Sequence, residues 1–533
     1  VNGRKIGIVG SGPSGAAAAH RFVEAGFDVT VIDVGFEIEP HLAPFTRADH
    51  AVDRDRFMEA VTAQRRSVVG ETAVLPPKLP FGSDFVYRSI PPNRLSSGAG
   101  LHVETSLALG GLSNAWGANV CAVAQRDMAD WPFPAGDLTP HFAELDAILD
   151  VSGDAGDGID ELYDARLDAR PNYPLGLHGQ RILAGVARGR ERLAAAGLRC
   201  GRAKIAVGPK HSVGGMGCTS CGLCMHGCPH RAIFNAADVI RSLSGRPNFR
   251  YLDGRHVLRY AEGPDGVTAV CRPTEGGPRE EHRFDRLFVA CGVMGSTAIV
   301  ARSQGLCDRD FIIHDSQKYY FPYLRYRRVK GAVDERANTL AQVYIQDVGL
   351  RSTPHTLHCQ LYGVNDLFFE SLKAKLGPLA HPMMRLGTPM FERMMIGMVY
   401  FHSNDSGTLR YRVSANEEDG IGHVEAGPRP DTRPIFKEFM GRLGRFGGVF
   451  GGRPLPFLAE SSPPGHSLHF GGSLPMARTP EPGQTDVLGR PFGSGRVHVV
   501  DASVLPSIPG TPTTYTVMAN ALRICAGVLK GAA

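Results

Sequence analysis

The sequence predicts an α/β protein: a Rossmann-like dinucleotide-binding domain interleaved with an α+β substrate domain built on an antiparallel sheet. Three observations predict it. The amino terminus holds a complete strand, Gly-rich turn, helix and second strand. Later segments around 286–291 and 497–500 have the length and apolar character of further strands of the same sheet. Between them, residues 308–445 change texture, with aromatic, alternating, strand-like pieces.

The first unit begins with Ile6–Val9 and runs through Gly10-Ser11-Gly12-Pro13-Ser14-Gly15 into a helix rich in alanine. Gly26 ends that helix, and Val29–Ile32 forms a strand that closes on Asp33. Gly10 permits the tight turn, Gly12 lets the backbone approach a pyrophosphate, and Gly15 with the alanines allows close helix–sheet packing. Asp33 lies 23 residues after Gly10, where a carboxylate accepts hydrogen bonds from ribose hydroxyls. The motif alone does not separate FAD from NAD. Further on, Val257–Arg259 and Val267–Cys271 read as short strands joined by a Gly-Pro-Asp-Gly turn. Arg286–Cys291 reads as a strand leading into a helix. Tyr319–Tyr326 and Thr339–Val348 read as strands of a pocket wall, and Val497–Val500 as a last strand before a helix at Thr516–Leu529.

Composition narrows the class. The 533 residues are 43% hydrophobic and 21% charged, ordinary for a folded protein, so disordered and fibrous classes are excluded. The formal charge of +5 comes without a long basic block, which argues against a nucleic-acid partner. No run of about 18 apolar residues predicts a spanning helix. A strand starting at Lys5 leaves no room for a secretory signal, so a cytoplasmic location is expected.

The 11 cysteines are unevenly placed, and four fall in Cys218-x-x-Cys221-x-x-Cys224-x-x-x-Cys228-Pro229. This spacing with its trailing proline is the bacterial ferredoxin pattern, and thiolates so placed wrap a compact cluster. Zinc, which favours two Cys-x-x-Cys elements across a longer excursion, and unligated or redox-active thiols are the alternatives. The other seven, Cys121, Cys200, Cys271, Cys291, Cys307, Cys359 and Cys525, read as buried free thiols.

Several segments together resemble the glucose-methanol-choline (GMC) oxidoreductases, FAD-dependent enzymes that oxidise alcohols. Besides the first unit, they are Leu109-Gly110-Gly111-Leu112-Ser113-Asn114-Ala115-Trp116-Gly117, Asp130-Trp131-Pro132-Phe133-Pro134, His469-Phe470-Gly471-Gly472-Ser473-Leu474-Pro475-Met476 and Asp501-Ala502-Ser503-Val504-Leu505-Pro506. The resemblance implies FAD as cofactor, contacted by Gly10, Gly12, Pro13, Ser14, Gly15, Asp33, Gly110, Gly111, Ser113, Asn114, Trp116, Val257, Asp501 and Ala502. It assigns the base to His469, an imidazole being suited to take the hydroxyl proton near neutral pH. Relatives carry Asn or His just before a proline about eleven residues after the aspartate matching Asp501; here Pro512 falls at that site. Thr511 and Thr513 are its candidate replacements, able to orient a substrate oxygen or simply to end the loop. His466 is a further candidate.

The sugar-dehydrogenase branch of the family has Cys-x5-Cys-x3-Cys-Pro in this part of the chain and binds a 3Fe–4S cluster. Cys218, Cys224 and Cys228 reproduce that spacing, and Cys221 would add a fourth ligand for a 4Fe–4S cluster. A helix continuing from Arg231 would then carry the cluster to the FAD domain as an electron exit.

Six of the 14 methionines lie in Leu379–Phe401, and Met394, Met395 and Met398 have helical spacing. Core packing, a lid, or an interfacial helix giving peripheral membrane contact all suit them. The expected organisation is an FAD-binding part at 1–150, a cysteine-bearing insertion at 151–235, FAD-binding again at 236–307, the substrate domain at 308–445, and a last FAD-binding part with His469 at 446–533. The expected activity is oxidation of an alcohol on a sugar, aminocyclitol or polyol, with electrons leaving through the cluster to an external acceptor. An oxygen-using oxidase and a flavin/iron–sulfur electron carrier are the alternatives.

Overall fold

The computed structural model describes residues 4–47, 53–69, 78–101, 103–163, 169–170, 173–335, 339–365, 368–369, 377 and 387–531. Its centre is a five-stranded parallel sheet in the order Val497–Val499, Arg286–Val289, Lys5–Val9, Asp28–Ile32, Phe249–Leu252. Lys5–Val9 pairs in parallel with both neighbours, Ile8 facing Phe288 on one side and Val31 on the other. Such a strand is covered on both faces, which is why its residues form a nearly continuous apolar run. The helix Pro13–Glu24 packs against the sheet and against the helix Thr513–Lys530. Ala16, Ala17, Ala18 and Ala19 are fully buried, and their small side chains permit that approach. A three-stranded antiparallel sheet, Arg255–Gly263, Gly266–Pro273 and Glu280–Phe284, follows the outermost strand; its first turn falls at the Gly-Pro-Asp-Gly sequence.

The pocket wall is a seven-stranded antiparallel sheet. Its main order is Gly452–Pro454, Lys318–Arg325, Met394–Tyr400, Leu357–Gly363, Ala341–Asp347, Leu198–Arg202, with Glu460–Ser461 pairing beside Lys318–Arg325. It therefore draws strands from outside 308–445: one from the segment expected to be a cysteine-bearing insertion, and two short ones from the segment expected to return to the nucleotide domain. Side chains alternate across a pleated sheet, so register decides what each face carries. One face presents Phe321, Leu361, Met395, Val399 and Ile345, packed against the helices Leu177–Ala195 and Arg433–Arg445. The other face is polar and forms part of the candidate site. A fourth sheet, in the order Phe470–Gly471, Asp310–Asp315, Thr408–Val413, Gly422–Ala426, Leu95–Ser97, pairs the segment after His469 with the strand that precedes Lys318–Arg325.

Two expectations are corrected. Met394, Met395 and Met398 lie on a strand, not a helix, and Met395 is fully buried between neighbouring strands. Met-x-x-Met spacing fits a helix, but Val399-Tyr400-Phe401 on the same run favours extended backbone, and two flanking strands take up its hydrogen bonds. Met383 and Met384 lie outside the described residues. Arg231 does not begin a helix: its φ is +53°, and the helix starts at Ala236, capped by the Asn235 side chain accepting from the Ala237 amide at 2.9 Å.

Candidate active site

The Gly-rich turn separates into glycines the fold needs and one it does not. Gly10 has φ of +95°, and a Cβ there would lie 2.5 Å from the Ala290 carbonyl oxygen; a Cβ on Gly15 would lie 2.1 Å from the Gly10 carbonyl oxygen. A Cβ on Gly12 would meet no protein atom within 4 Å. Gly12 is the N-cap of Pro13–Glu24, with Pro13 in the first turn and Ser14 buried behind it. The open space therefore sits at a helix N-terminus, where amide donors and the helix dipole favour a pyrophosphate.

Asp33 closes the unit as the spacing predicts. Ser11 donates its hydroxyl to Asp33 and accepts from the Gly110 amide at 2.9 Å, which joins the first turn to the second Gly-rich loop. Burial pushes the Asp33 carboxyl up to about 6, and the Ser11 hydrogen bonds oppose this. The Asp33 carbonyl accepts from the Arg255 amide at 2.9 Å, so buried Val257 sits just beyond on the same strand. Asp501 lies across the helix Gly292–Gln304, accepting from Ser296 Oγ at 2.5 Å and the Ser503 amide at 2.9 Å. Ala502 accepts from the Gly472 amide at 3.0 Å.

The loop at 110–116 is held in a strained path. Gly110 and Gly111 have φ of +85° and +57°, and the space a Gly110 Cβ would fill is taken by Asn235 Oδ1 at 2.5 Å. Ser113 donates to the Gly110 carbonyl at 2.6 Å and accepts from the Ala236 amide at 3.0 Å. Asn114 donates to the Gly111 carbonyl at 2.7 Å and accepts from Asn235 Nδ2 at 2.7 Å. The Trp116 indole donates to the Phe234 carbonyl at 2.9 Å. Asn235, which sequence reasoning missed, thus caps one helix and ties down this loop at once; its Asn-Ala-Ala-Asp start is the signal that marks it.

His469 is set by its neighbours in sequence. Asp315 accepts from the Gly465 amide at 2.9 Å and from Ser467, and Ser467 Oγ in turn accepts from the His469 amide at 3.0 Å. The Ser316 amide donates to the His469 carbonyl at 3.0 Å. Gly472 has φ of +77°, and a Cβ there would lie 2.6 Å from the His314 ring, which accounts for the glycine three residues on. Met476, buried, returns its amide to the Val504 carbonyl at 2.9 Å. The imidazole stacks on Tyr400 with ring centroids 4.6 Å apart. Burial, helped by the Lys318 ammonium, pushes it down to about 3, so it is neutral at physiological pH. Its Nδ1 is buried without a hydrogen-bond partner among the described residues.

Under His469 lies the polar face of the sheet. Register places Lys318 opposite Tyr400, Tyr400 opposite His358, and His358 opposite Gln346 in one row. Hydrogen bonds run on from Gln360 Nε2 to His358 Nε2 at 3.1 Å, from the Tyr362 hydroxyl to Gln360 Oε1 at 2.6 Å, and from Asn119 Nδ2 to the Tyr362 hydroxyl at 3.1 Å. None of these was picked out from sequence, although polar residues alternating in Leu357-His-Cys-Gln-Leu-Tyr-Gly carry the signal. Thr511 is fully buried, with Oγ1 unpartnered among the described residues, and Thr513 opens the last helix. Their turn packs behind Tyr400: a Cβ on Gly510 would lie 2.9 Å from the Tyr400 carbonyl oxygen. No hydrogen bond among the described residues joins either threonine to His469.

Cys218, Cys221, Cys224 and Cys228 line one cavity, together with Tyr173, His230, Ala232 and Ile233. Left-handed backbone at Gly217, Ser220, Gly222 and Gly227 bends the chain around it. Among the described residues no group of three or more His, Cys, Asp or Glu side chains is gathered to hold a metal ion. Burial pushes the Cys218 thiol up to about 12 and Cys228 up to about 11, which is the reverse of a reactive thiolate. Cys228 also borders the cleft lined by Ser113, Asn114 and Trp116, so the cysteine loop and the second Gly-rich loop share a wall. No helix among the described residues is long and apolar enough to cross a membrane.

Comparison with known proteins agrees with this geometry. A GMC oxidoreductase family model matches residues 459–521, and an NAD(P)-binding Rossmann-like domain model matches residues 8–53. The chain is similar to 6'''-hydroxyparomomycin C oxidase of Streptomyces lividus and to paromamine 6'-oxidase of Streptomyces fradiae. Each is 26% identical, over 97% of this chain and 89% of the relative. Pyridoxine 4-oxidase from Mesorbium loti shares the fold with a TM-score of 0.61 at 15% identity, over 99% of both chains. An FAD-dependent oxidoreductase from Chaetomium thermophilum does so with a TM-score of 0.59 at 15% identity, over 99% of this chain and 100% of that one. The matched segments, 8–53 around the dinucleotide turn and 459–521 around His469, support the GMC oxidoreductase family and FAD as the cofactor.

Proposed function

We propose that this protein oxidises an alcohol group on a small polyhydroxylated substrate, a sugar, aminocyclitol or similar polyol, with His469 as the base. The observation that carries the reading is the neutral imidazole with an unpartnered buried nitrogen, stacked on Tyr400 above a row of hydrogen-bonding side chains. Bound FAD supplies the hydride acceptor. His469 takes the hydroxyl proton; the tether through Ser467 and Asp315 holds its backbone amide, and stacking on Tyr400 orients its ring. His358, Gln360, Tyr362 and Asn119 offer donors and acceptors to further hydroxyls, which suits a polyol better than a simple alcohol. Thr511, with its free hydroxyl oxygen, is the better placed of the two threonines to orient such a substrate.

We infer an iron–sulfur cluster at Cys218, Cys221, Cys224 and Cys228 from their ferredoxin-like spacing and from the one cavity that all four line; bound there it would supply one-electron redox chemistry. On this reading the enzyme is a dehydrogenase with an external acceptor. The alternative is an oxidase, favoured by the names of both Streptomyces relatives. Anaerobic mixing of the holoenzyme with paromamine, other aminocyclitol glycosides, free sugars and pyridoxine tests the substrate class, and bleaching of the flavin absorption by an amino sugar or polyol is expected. Failure of every alcohol to bleach the flavin overturns the reading. In an oxygen electrode, stoichiometric peroxide without added acceptor overturns the dehydrogenase in favour of the oxidase.

A further inference from the structure

Two lysines are buried among the described residues, and they are treated very differently. Lys204, 1% exposed, is fully satisfied: its ammonium reaches Asp157 at 3.2 Å, Asp160 at 3.1 Å and the Asp154 carbonyl at 2.8 Å. Lys318, 6% exposed, has no hydrogen bond or ion pair to its Nζ among the described residues. Its ammonium lies 5.4 Å from the centroid of the Tyr320 ring. The neighbouring carboxylate, Asp315, is already engaged by the Gly465 amide and the Ser467 hydroxyl. Register sets Lys318 directly opposite Tyr400, and Tyr400 carries His469 stacked on its face. The groups around it are thus His469, Tyr400, Tyr320 and Asp315. Burying an ammonium with no direct hydrogen-bond or ion-pair partner is costly, so a site that keeps one is shaped for a partner that arrives later.

We propose that Lys318 is a substrate-contacting catalytic residue whose ammonium holds the reacting oxygen of the alcohol and offsets the negative charge that develops on it. The proposal rests on the alcohol-oxidising reading above. In the step, the O–H proton would pass to His469 and the C=O bond would form as the C–H electron pair leaves carbon as hydride to the acceptor that bound FAD would supply. Electron density rises on oxygen when proton loss runs ahead of hydride loss, and a preorganised cation in a water-poor site is effective there.

The test uses the FAD-loaded enzyme and its Lys318→Met, Lys318→Arg and Lys318→Ala variants, with flavin reduction by paromamine followed anaerobically. Lys318→Met is expected to bind FAD and to lose about 10²- to 10³-fold in the reduction rate, with Lys318→Arg retaining more. Added ethylamine is expected to restore part of the rate to Lys318→Ala, which a purely structural lysine would not allow. Because Lys318 makes no direct ion pair or hydrogen bond through Nζ among the described residues, Lys318→Met is expected to melt no lower than the wild type. A Lys318→Met enzyme reduced within twofold of the wild-type rate, or a Lys318→Ala enzyme with no response to the amine, overturns the proposal. A wild-type flavin that no alcohol reduces overturns the functional reading instead, and that arm involves no variant.

Discussion

Gly12→Ala separates what the cofactor requires from what the fold requires. Gly12 has φ of −62° and ψ of 179°, which alanine adopts without strain, and its Cβ would project into space free of protein atoms for 4 Å. Alanine is a poorer N-cap than glycine, by several tenths of a kcal/mol, while the stiffer unfolded chain returns about 0.4–1 kcal/mol. The net effect on the apoprotein is therefore close to zero. The added methyl occupies the space against the Pro13–Glu24 N-terminus that the pyrophosphate requires, and losing even two of its hydrogen bonds to amides at about 1.5 kcal/mol each weakens FAD by roughly 100-fold. Gly15→Ala is the control: its Cβ would lie 2.1 Å from the Gly10 carbonyl oxygen, so the apoprotein itself must deform. Thermal melts of the apoproteins and quenching of FAD fluorescence on titration give the two quantities separately. Gly12→Ala is expected to melt with the wild type and bind FAD about two orders of magnitude more weakly. An unchanged FAD affinity, or an apoprotein as destabilised as Gly15→Ala, would refute the assignment of Gly12 to the cofactor.

Other expectations follow from the same geometry. His469→Ala should keep its flavin and lose about 10²- to 10⁴-fold in kcat/KM, measured against the reducing alcohol; full activity would remove His469 as base. The pH profile should stay flat on the acid side well below 6.5, because burial holds His469 down to about 3. It should fall as pH rises through about 8, where Lys318, pushed down by burial, loses its proton; Lys318→Arg should move that limb out of range. Alanine at Cys218, Cys224 or Cys228 should strip iron from anaerobically purified enzyme while leaving FAD, whereas Cys221→Ala should leave a cluster with three irons. Iron assay and electron paramagnetic resonance check both. Met395→Ala, in a fully buried strand position, should cost about 2–5 kcal/mol by chemical denaturation, and Met390→Ala, 47% exposed, under about 0.5 kcal/mol.

Local geometry made much of the nucleotide half legible in the sequence. Gly15 is a glycine because the Gly10 carbonyl five residues earlier occupies the place of a Cβ, and Gly10 and Gly472 because their own backbone is left-handed; such constraints leave a fixed spacing, although Ala290 and His314, which also crowd the latter two, come from far along the chain. Asp33 and the alanines of the first helix belong to the same short unit, so their roles follow from it. The methionine run misled because spacing alone cannot tell a helix from a strand whose hydrogen bonds are supplied by Lys318–Arg325 and Leu357–Gly363. The polar face escaped notice for a related reason. His358, Gln360 and Tyr362 are ordinary polar residues until Tyr400 and Lys318 are set beside them by register.

The sequence by itself determined the dinucleotide unit, the family resemblance, the His469 segment and the grouping of four cysteines, because each is written in residues close together in the chain. Only the tertiary structure decided which side chains surround His469. Lys318, Tyr400 and His358 come from three strands spread along the chain, and what places them in one row is interstrand hydrogen bonding with a period of two residues, a long-range choice with no local spacing to announce it.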